Sequence, residues 1–388
     1  MKKIALAAAA LASLAASAAH AQSSVTLYGS LDTAVAYFSN VAGKNGSGHT
    51  WGLSSGNVSP NLWGLKGTED LGNGLSAIFK IESGFNIDNG TMGQGGRIFG
   101  RQAYVGLNSN TAGTVTLGRQ YDPLIDLIQP LTNDDTFGSV FATPGDMDNY
   151  DNSYRTSNSI KYMSPNYAGL QIGAMYAFGG QAGSTGAGQT IAVAAAYNHG
   201  PLGLGAGYFR ANSDNGTVAS FDGLDPNNVN VDSAAITGGF VNANSLQIIR
   251  AAGNYVFGPV TVGLSYSNVE YANYQSFSGS NSDTKFNNGQ AYLNYQITPA
   301  AIVGVGYNYT KGHGNNVDAS YNQVSLGGDY FLSKRTDIYA IAGYQKASGN
   351  TIGVNGDLVQ ANASMADFGN DSTSDRQTMV MLGMRHRF

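Results

Sequence analysis

The chain has 388 residues, 20 basic and 25 acidic, with 53 glycines, 23 tyrosines and no cysteine. Charged residues are only 12% of it, about half the share of an ordinary soluble domain. A formal charge of −5 argues against nucleic acid as a partner, and the lack of cysteine excludes thiolate metal sites, haem attachment through cysteine and cysteine nucleophiles.

Residues 1–21 read as a secretory signal. Lys2 and Lys3 precede the apolar stretch Ile4–Ala19, and Ala19-His20-Ala21 is an A-x-A cleavage site. Removing 21 of 388 residues leaves 367, with 18 basic against 25 acidic side chains, a net charge of −7. No later apolar run approaches the roughly 20 residues of a spanning helix. Residues 22–388 are read as one domain.

That domain repeats one pattern, about ten residues of alternating character followed by a turn or loop. Val260, Val262, Leu264 and Tyr266 alternate with Thr261, Gly263, Ser265 and Ser267; Val303, Val305, Tyr307 and Tyr309 alternate with Gly304, Gly306 and Asn308. A period of two is a strand with different surroundings on its two faces. Sixteen strands are predicted, near 24–39, 58–68, 74–85, 97–108, 113–121, 153–163, 169–178, 190–199, 202–211, 245–257, 260–271, 287–297, 301–312, 319–331, 337–346 and 376–388. Short connections such as Gly200-Pro201 and Gly258-Pro259 alternate with long ones: Asp122–Asn152, Asn212–Asn244, Ala272–Phe286 and Ala347–Asp375. A soluble sandwich has no reason to keep that alternation. An all-β, 16-stranded antiparallel transmembrane barrel does, with short turns at the periplasmic end and long loops outside.

Several motifs carry little. Gly52-Leu53-Ser54-Ser55-Gly56 matches a nucleophile elbow, but falls in a predicted first loop with no strand-to-helix context. The histidines His49, His199, His313 and His386 are scattered. Gly203, Gly205 and Gly207 line one strand face rather than a dinucleotide loop. Asp146, Asp148 and Asp151 suggest a loop cation, but EF-hand spacing is missing. No catalytic residue, metal or cofactor is expected.

The informative departures are three. The connection Asp122–Asn152 contains Leu124, Ile125, Leu127, Ile128, Leu131, Phe137, Val140 and Phe141, more apolar residues than a solvated loop needs. It is predicted to fold inward, carrying the acids Asp122, Asp126, Asp134 and Asp135. Strand phase puts Lys66, Lys80, Glu82, Arg155, Lys161 and Arg250 on the lumen face, and Arg101 turns inward because a lipid-facing arginine costs about 2–4 kcal/mol. Lys66, Lys80, Arg101 and Arg155 then form a basic wall opposite the acidic loop, with Glu82 between them. Arg119, in phase with Val115 and Leu117, breaks the apolar outer face: either the phase breaks near the strand end or, the favoured reading, that face meets a neighbouring subunit near 97–121.

Five segments carry a resemblance: Ser24-Val-Thr-Leu-Tyr-Gly29, Trp63-Gly-Leu-Lys-Gly-Thr-Glu-Asp-Leu-Gly-Asn-Gly-Leu75, Gly100-Arg-Gln-Ala-Tyr-Val-Gly-Leu107, Leu117-Gly-Arg-Gln-Tyr-Asp-Pro123 and Arg385-His-Arg-Phe388. With these the chain resembles the general diffusion porins of Gram-negative bacteria, of β-proteobacterial type. The resemblance implies a homotrimer whose third loop, Asp122–Asn152, folds into the pore. It places Arg101 and Arg155 on the basic wall and Arg119 at the trimer contact. It also implies that Phe388 is read by the barrel-assembly machinery. Such porins often carry a lumen-facing arginine just before the Trp-Gly-Leu-Lys segment; Leu62 stands there instead, removing a positive charge from the wall. The expectation is an outer-membrane channel for ions and small hydrophilic solutes. A substrate-specific channel with Tyr28, Phe38 and Tyr292 in its lumen is the alternative, ahead of an outer-membrane lipase or a soluble adhesin.

Overall fold

The computed structural model describes residues 24–43, 46–180, 182–184, 186–213, 236–275, 281–314, 316–366 and 368–388. The predicted signal, residues 1–21, lies outside them, as does much of the 212–244 connection. In chain order the strands are β1 (Ser24–Gly43), β2 (Gly46–Ser55), β3 (Leu62–Gly72), β4 (Leu75–Gly84), β5 (Gln102–Ser109), β6 (Gly113–Gln120), β7 (Thr156–Met163), β8 (Leu170–Ala177), β9 (Thr190–His199), β10 (Leu202–Asn212), β11 (Ser245–Phe257), β12 (Val260–Gln275), β13 (Asn281–Thr298), β14 (Ala301–Gly314), β15 (Ser320–Phe331), β16 (Thr336–Ser348), β17 (Asn350–Ile352), β18 (Leu358–Gln360) and β19 (Arg376–Arg387). Two short helices, α1 (Pro123–Leu127) and α2 (Asp134–Phe137), lie between β6 and β7.

Strands β1 to β16 and β19 form one antiparallel sheet, and β19 pairs back onto β1 to close it. Seventeen strands make sixteen barrel positions, because β2 and β3 share one. The upper half of β1 pairs with β2 and its lower half with β3. Between them Gly56–Asn61 breaks the strand. This corrects the predicted first loop: residues 46–55 are strand. Glycine and serine dilute its pattern, but Trp51 and Leu53 still alternate outward. The Gly52–Gly56 motif therefore sits at the end of a strand with no helix after it. Three other boundaries move. The predicted 272–286 loop is mostly strand, since β12 continues to Gln275 and β13 begins at Asn281. Arg101 and Arg155 precede β5 and β7 rather than lying within them. The β16–β19 connection contains the hairpin β17–β18.

The outer face is apolar. Leu264, Leu382 and Trp51 expose 67%, 66% and 66% of their surface, which water would disfavour and lipid accepts. Tyr197, Tyr255, Tyr295 and Tyr330 ring the barrel near its short turns; Tyr266 and Tyr344 stand nearer the other end. Tyr330 is six residues along β15 from the partner of Tyr344, about 20 Å of strand. These are the two aromatic girdles of a membrane barrel. At the turns, Gly200 and Gly258 take φ of +55° and +57°, which a side chain resists.

The inner face is where the 121–155 loop packs. Its Leu124, Ile128, Leu131, Phe137, Val140 and Phe141 are buried, each contributing about 1.5–3 kcal/mol. The wall makes room with glycine. A Cβ on Gly207 would come within 2.7 Å of Leu124, one on Gly203 within 2.6 Å of Leu131, and one on Gly327 within 2.4 Å of Phe137. So the glycine series of β10 is the seat of α1. Side chains of β13 and β15 then hold the loop backbone: Tyr292 donates to Leu131 O at 3.0 Å and Gln323 to Val140 O at 2.9 Å.

Candidate pore constriction

Because the loop covers β8–β10 and then β14–β16, one arc of the wall stays open. That arc is β1 and β2, the break that follows β2, the segments that follow β4 and precede β5 and β7, and the end of β19. It faces a cavity of about 1030 Å³, which Arg101, Arg155, Arg385 and Arg387 line from the wall and Asp126, Asp134, Asp135 and Asp151 from the loop. Of the predicted wall, Arg101 and Arg155 line this cavity, and of the predicted loop acids, Asp126, Asp134 and Asp135.

Glu82 organises the wall. Alternation along β4 points it inward, where it is 2% exposed. It accepts from Arg101 Nε at 2.8 Å and Tyr28 OH at 2.7 Å, and lies 3.1 Å from Lys80 Nζ. Arg101 also donates to Tyr121 OH at 2.5 Å. The Tyr121 ring stands between two guanidinium groups, 5.7 Å from Arg101 and 5.4 Å from Arg155. A π-face tolerates such cations and keeps them apart. Lys66 and Lys80 are directly opposite each other across β3 and β4, both over Tyr28 at 5.3 and 5.5 Å. They are absent from the cavity lining and lie nearer the short turns. The predicted wall is thus a ladder, with the arginines in the cavity and the lysines below it.

The acids divide. Asp126 lines the cavity and pairs with Lys161 Nζ at 2.7 Å. Asp135 also faces the cavity; burial holds its carboxyl above the ordinary range, against the pull of Arg385 and Arg387. Asp134 touches the cavity but is 3% exposed. Burial, then Asp146 and Asp148, push its carboxyl well up. Asp122 corrects the prediction. It caps α1, accepting from Leu124 N at 2.8 Å, and does not line the cavity. Burial raises it and the nearby charge of Arg250 lowers it. Arg250, over the Tyr150 ring at 4.5 Å, is therefore an anchor beneath the loop. The candidate loop cation fares poorly. Asp146 accepts from Asp151 N at 2.9 Å and Ser153 N at 3.2 Å, and Asp148 from Thr143 at 2.7 Å and from Ser267. Their oxygens already serve donors of the loop and of β12.

Arg119 shares the outer face of β6 with Val115 and Leu117, yet is buried. Its Nε donates to Gly100 O at 2.6 Å and Nη1 to Ser157 at 2.8 Å, so its own chain covers most of it. Phe388 closes the barrel through two backbone bonds with Gly29 at 3.0 and 3.1 Å.

Sequence reasoning missed Tyr121, Arg385, Arg387 and Asp32. Each lies in or beside a segment that carried the resemblance, or on a lumen phase. Asp32 accepts from Val58 N at 2.8 Å and Ser59 N at 2.7 Å, and from Tyr339, folding the Gly56–Asn61 break inward. A second inward segment was also unforeseen. In the β16–β19 connection, Phe368 lies 5.8 Å from the Phe38 ring and lines the same cavity.

A closed barrel with an apolar outer belt, and a lumen narrowed by its own loop, defines an outer-membrane channel. The chain belongs to the Gram-negative porin family, whose model matches residues 5–350. An outer membrane porin protein of Bordetella pertussis is 33% identical over 100% of both chains, and outer membrane porin protein 32 of Delftia acidovorans is 32% identical over 98% of both. Among solved structures, the anion-selective porin from Comamonas acidovorans superposes with a TM-score of 0.71 at 26% identity, covering 95% of this chain and 100% of that one. The trimer form of OmpT from Vibrio cholerae superposes at 0.65 with 18% identity, covering 94% and 99%, a likeness of fold. This protein is an outer-membrane porin.

Proposed function

We propose that this porin passes small hydrophilic solutes and ions passively, with a preference for anions. The supporting observation is the single cavity that Arg101, Arg155, Arg385 and Arg387 share with Asp126 and Asp135. Cations on one side and carboxylates on the other create a transverse field, which orients dipolar solutes and sorts ions. Arg101 is paired with Glu82 and Arg385 with Asp337 and Asp329. Arg155 makes no ion pair among the described residues. Its charge is therefore the least compensated, which favours anions; the anion-selective neighbour supports the same sign. Lys80 and Lys66 continue the basic track toward the periplasm.

The outer-face position of Arg119 supports assembly as a homotrimer, with β5 and β6 at the contact. Phe388 is proposed as the residue through which assembly machinery recognises the chain. No reaction and no cofactor enter this function.

The test is a planar-bilayer recording in asymmetric KCl. The expected result is an anion-signed reversal potential that Arg101→Glu moves toward cations. An unchanged potential in that variant would overturn the constriction. The Phe38–Phe368 pair favours a second reading, a solute-preferring channel, which saturable block by one solute class would reveal.

A further inference from the structure

The last strand ends Arg385-His386-Arg387-Phe388. Alternation sends Arg385 and Arg387 into the lumen and His386 outward, where it meets Thr336 at 2.9 Å. The bonds between Phe388 and Gly29 fix the height of this end. They set Arg387 opposite Ser30, and Ser30 is opposite Leu62 on its other side. Arg387 thus stands in the same cross-strand row as Leu62, two strands or about 10 Å away.

The two arginines are not equivalent. Arg385 is 4% exposed and fully engaged: Nε bonds both Asp337 oxygens at 3.1 Å, and Nη2 bonds Asp329 at 3.0 Å. Arg387 has one contact with Asp337 at 3.4 Å, and its side chain keeps 42% of its surface. The acids Asp32, Asp329 and Asp337 are buried in the wall behind it. A solute in the lumen meets the cation first. Asp135 lines the same cavity from the loop.

We propose that Arg387 is a specificity-determining residue of this pore, the exposed cation that contacts permeating carboxylates and phosphates at the row where Leu62 carries no charge. The inference rests on the constriction described above and adds a residue to it. Neutralising Arg387 leaves the buried acids behind it undercompensated, so selectivity swings toward cations. One unit charge about 6 Å away in water changes local ion occupancy about threefold.

The chain has no cysteine, so Arg387→Cys creates a single addressable thiol. The variant, refolded in detergent and placed in a bilayer, is expected to lower the anion-to-cation permeability ratio at least threefold. A cationic trimethylammonium thiosulfonate reagent should restore the wild-type ratio, and an anionic sulfonate reagent should lower it further. Wild-type selectivity with no response to either reagent would overturn the proposal. Arg101→Gln, run in parallel, separates the two readings: if it shifts the ratio while Arg387→Cys does not, only the Arg387 proposal falls. If neither shifts it, the constriction itself falls. Should Arg387→Cys not refold, Arg387→Gln tests the same charge with a side chain of similar length. A lowered anion-to-cation ratio supports the proposal and an unchanged ratio overturns it.

Discussion

A Cβ on Gly138 would stand 2.2 Å from the carbonyl oxygen of Asn57. The next residue, Ser139, donates its backbone N–H to that same oxygen at 3.1 Å. The inward loop is therefore tied at its tip to the break between β2 and β3, which Asp32 and Tyr339 hold in place. The break is the dock for the loop that narrows the pore.

Gly138→Val should undo this dock. Its φ of +69° already disfavours a side chain, and the obstacle is backbone that cannot rotate away. The expected outcome is larger single-channel conductance with more open-channel noise, and a barrel that still folds. Unaltered conductance would show that the tip does not set the pore.

Glu82 balances Arg101 and Lys80 while almost wholly buried, so Glu82→Gln leaves two cations without their carboxylate. Truncating one partner of a buried pair costs about 3–5 kcal/mol. Thermal unfolding in detergent should shift down, and the reversal potential should move toward anions. A stable variant with unshifted potential would mean the ladder is neither structural nor electrostatic.

Acid should sharpen anion preference. Burial raises the Asp135 carboxyl, so it neutralises at a higher pH than an exposed aspartate. The charge lost is negative and faces the lumen. Reversal potentials measured down from pH 7 should move toward anions above pH about 4, where ordinary aspartates are still ionised. Asp135→Asn should abolish that step.

Asp134 gives a stability test with a defined sign. Its folded-state value lies well above the ordinary 3.8, so its charged form is penalised at neutral pH. The penalty is complete above the folded value and gone below the unfolded one. Asp134→Asn should therefore be more stable than wild type at pH 7 and equal to it in strong acid. Melting curves at both pH values check this.

Arg119→Glu should prevent oligomer formation on unheated gels while the refolded monomer keeps its heat-dependent mobility shift. If oligomers persist, the bonds to Gly100 and Ser157 are the whole role of Arg119.

Much of the wall was legible because alternation is local. Lys80, Glu82, Lys161 and Arg250 all point where their phase sends them. Arg250 shows the limit: phase put it inside, but only the packed loop made it an anchor under Asp122 and Tyr150 rather than a lumen charge. The strand β2 was missed because glycine and serine supply its inward face, and that composition also describes a loop.

For the strands it could recognise by pattern, the sequence alone determined which face meets lipid, since a period of two leaves a side chain no third choice. It also determined that the 122–152 segment must fold inward, because its apolar residues need a surface to cover. Tertiary structure decided which acids of that segment reach the lumen, and that Arg387 stands level with Leu62. Those facts depend on the register between distant strands and on closure of β19 onto β1. Pairing energy sets them across the whole barrel, and no local pattern encodes them.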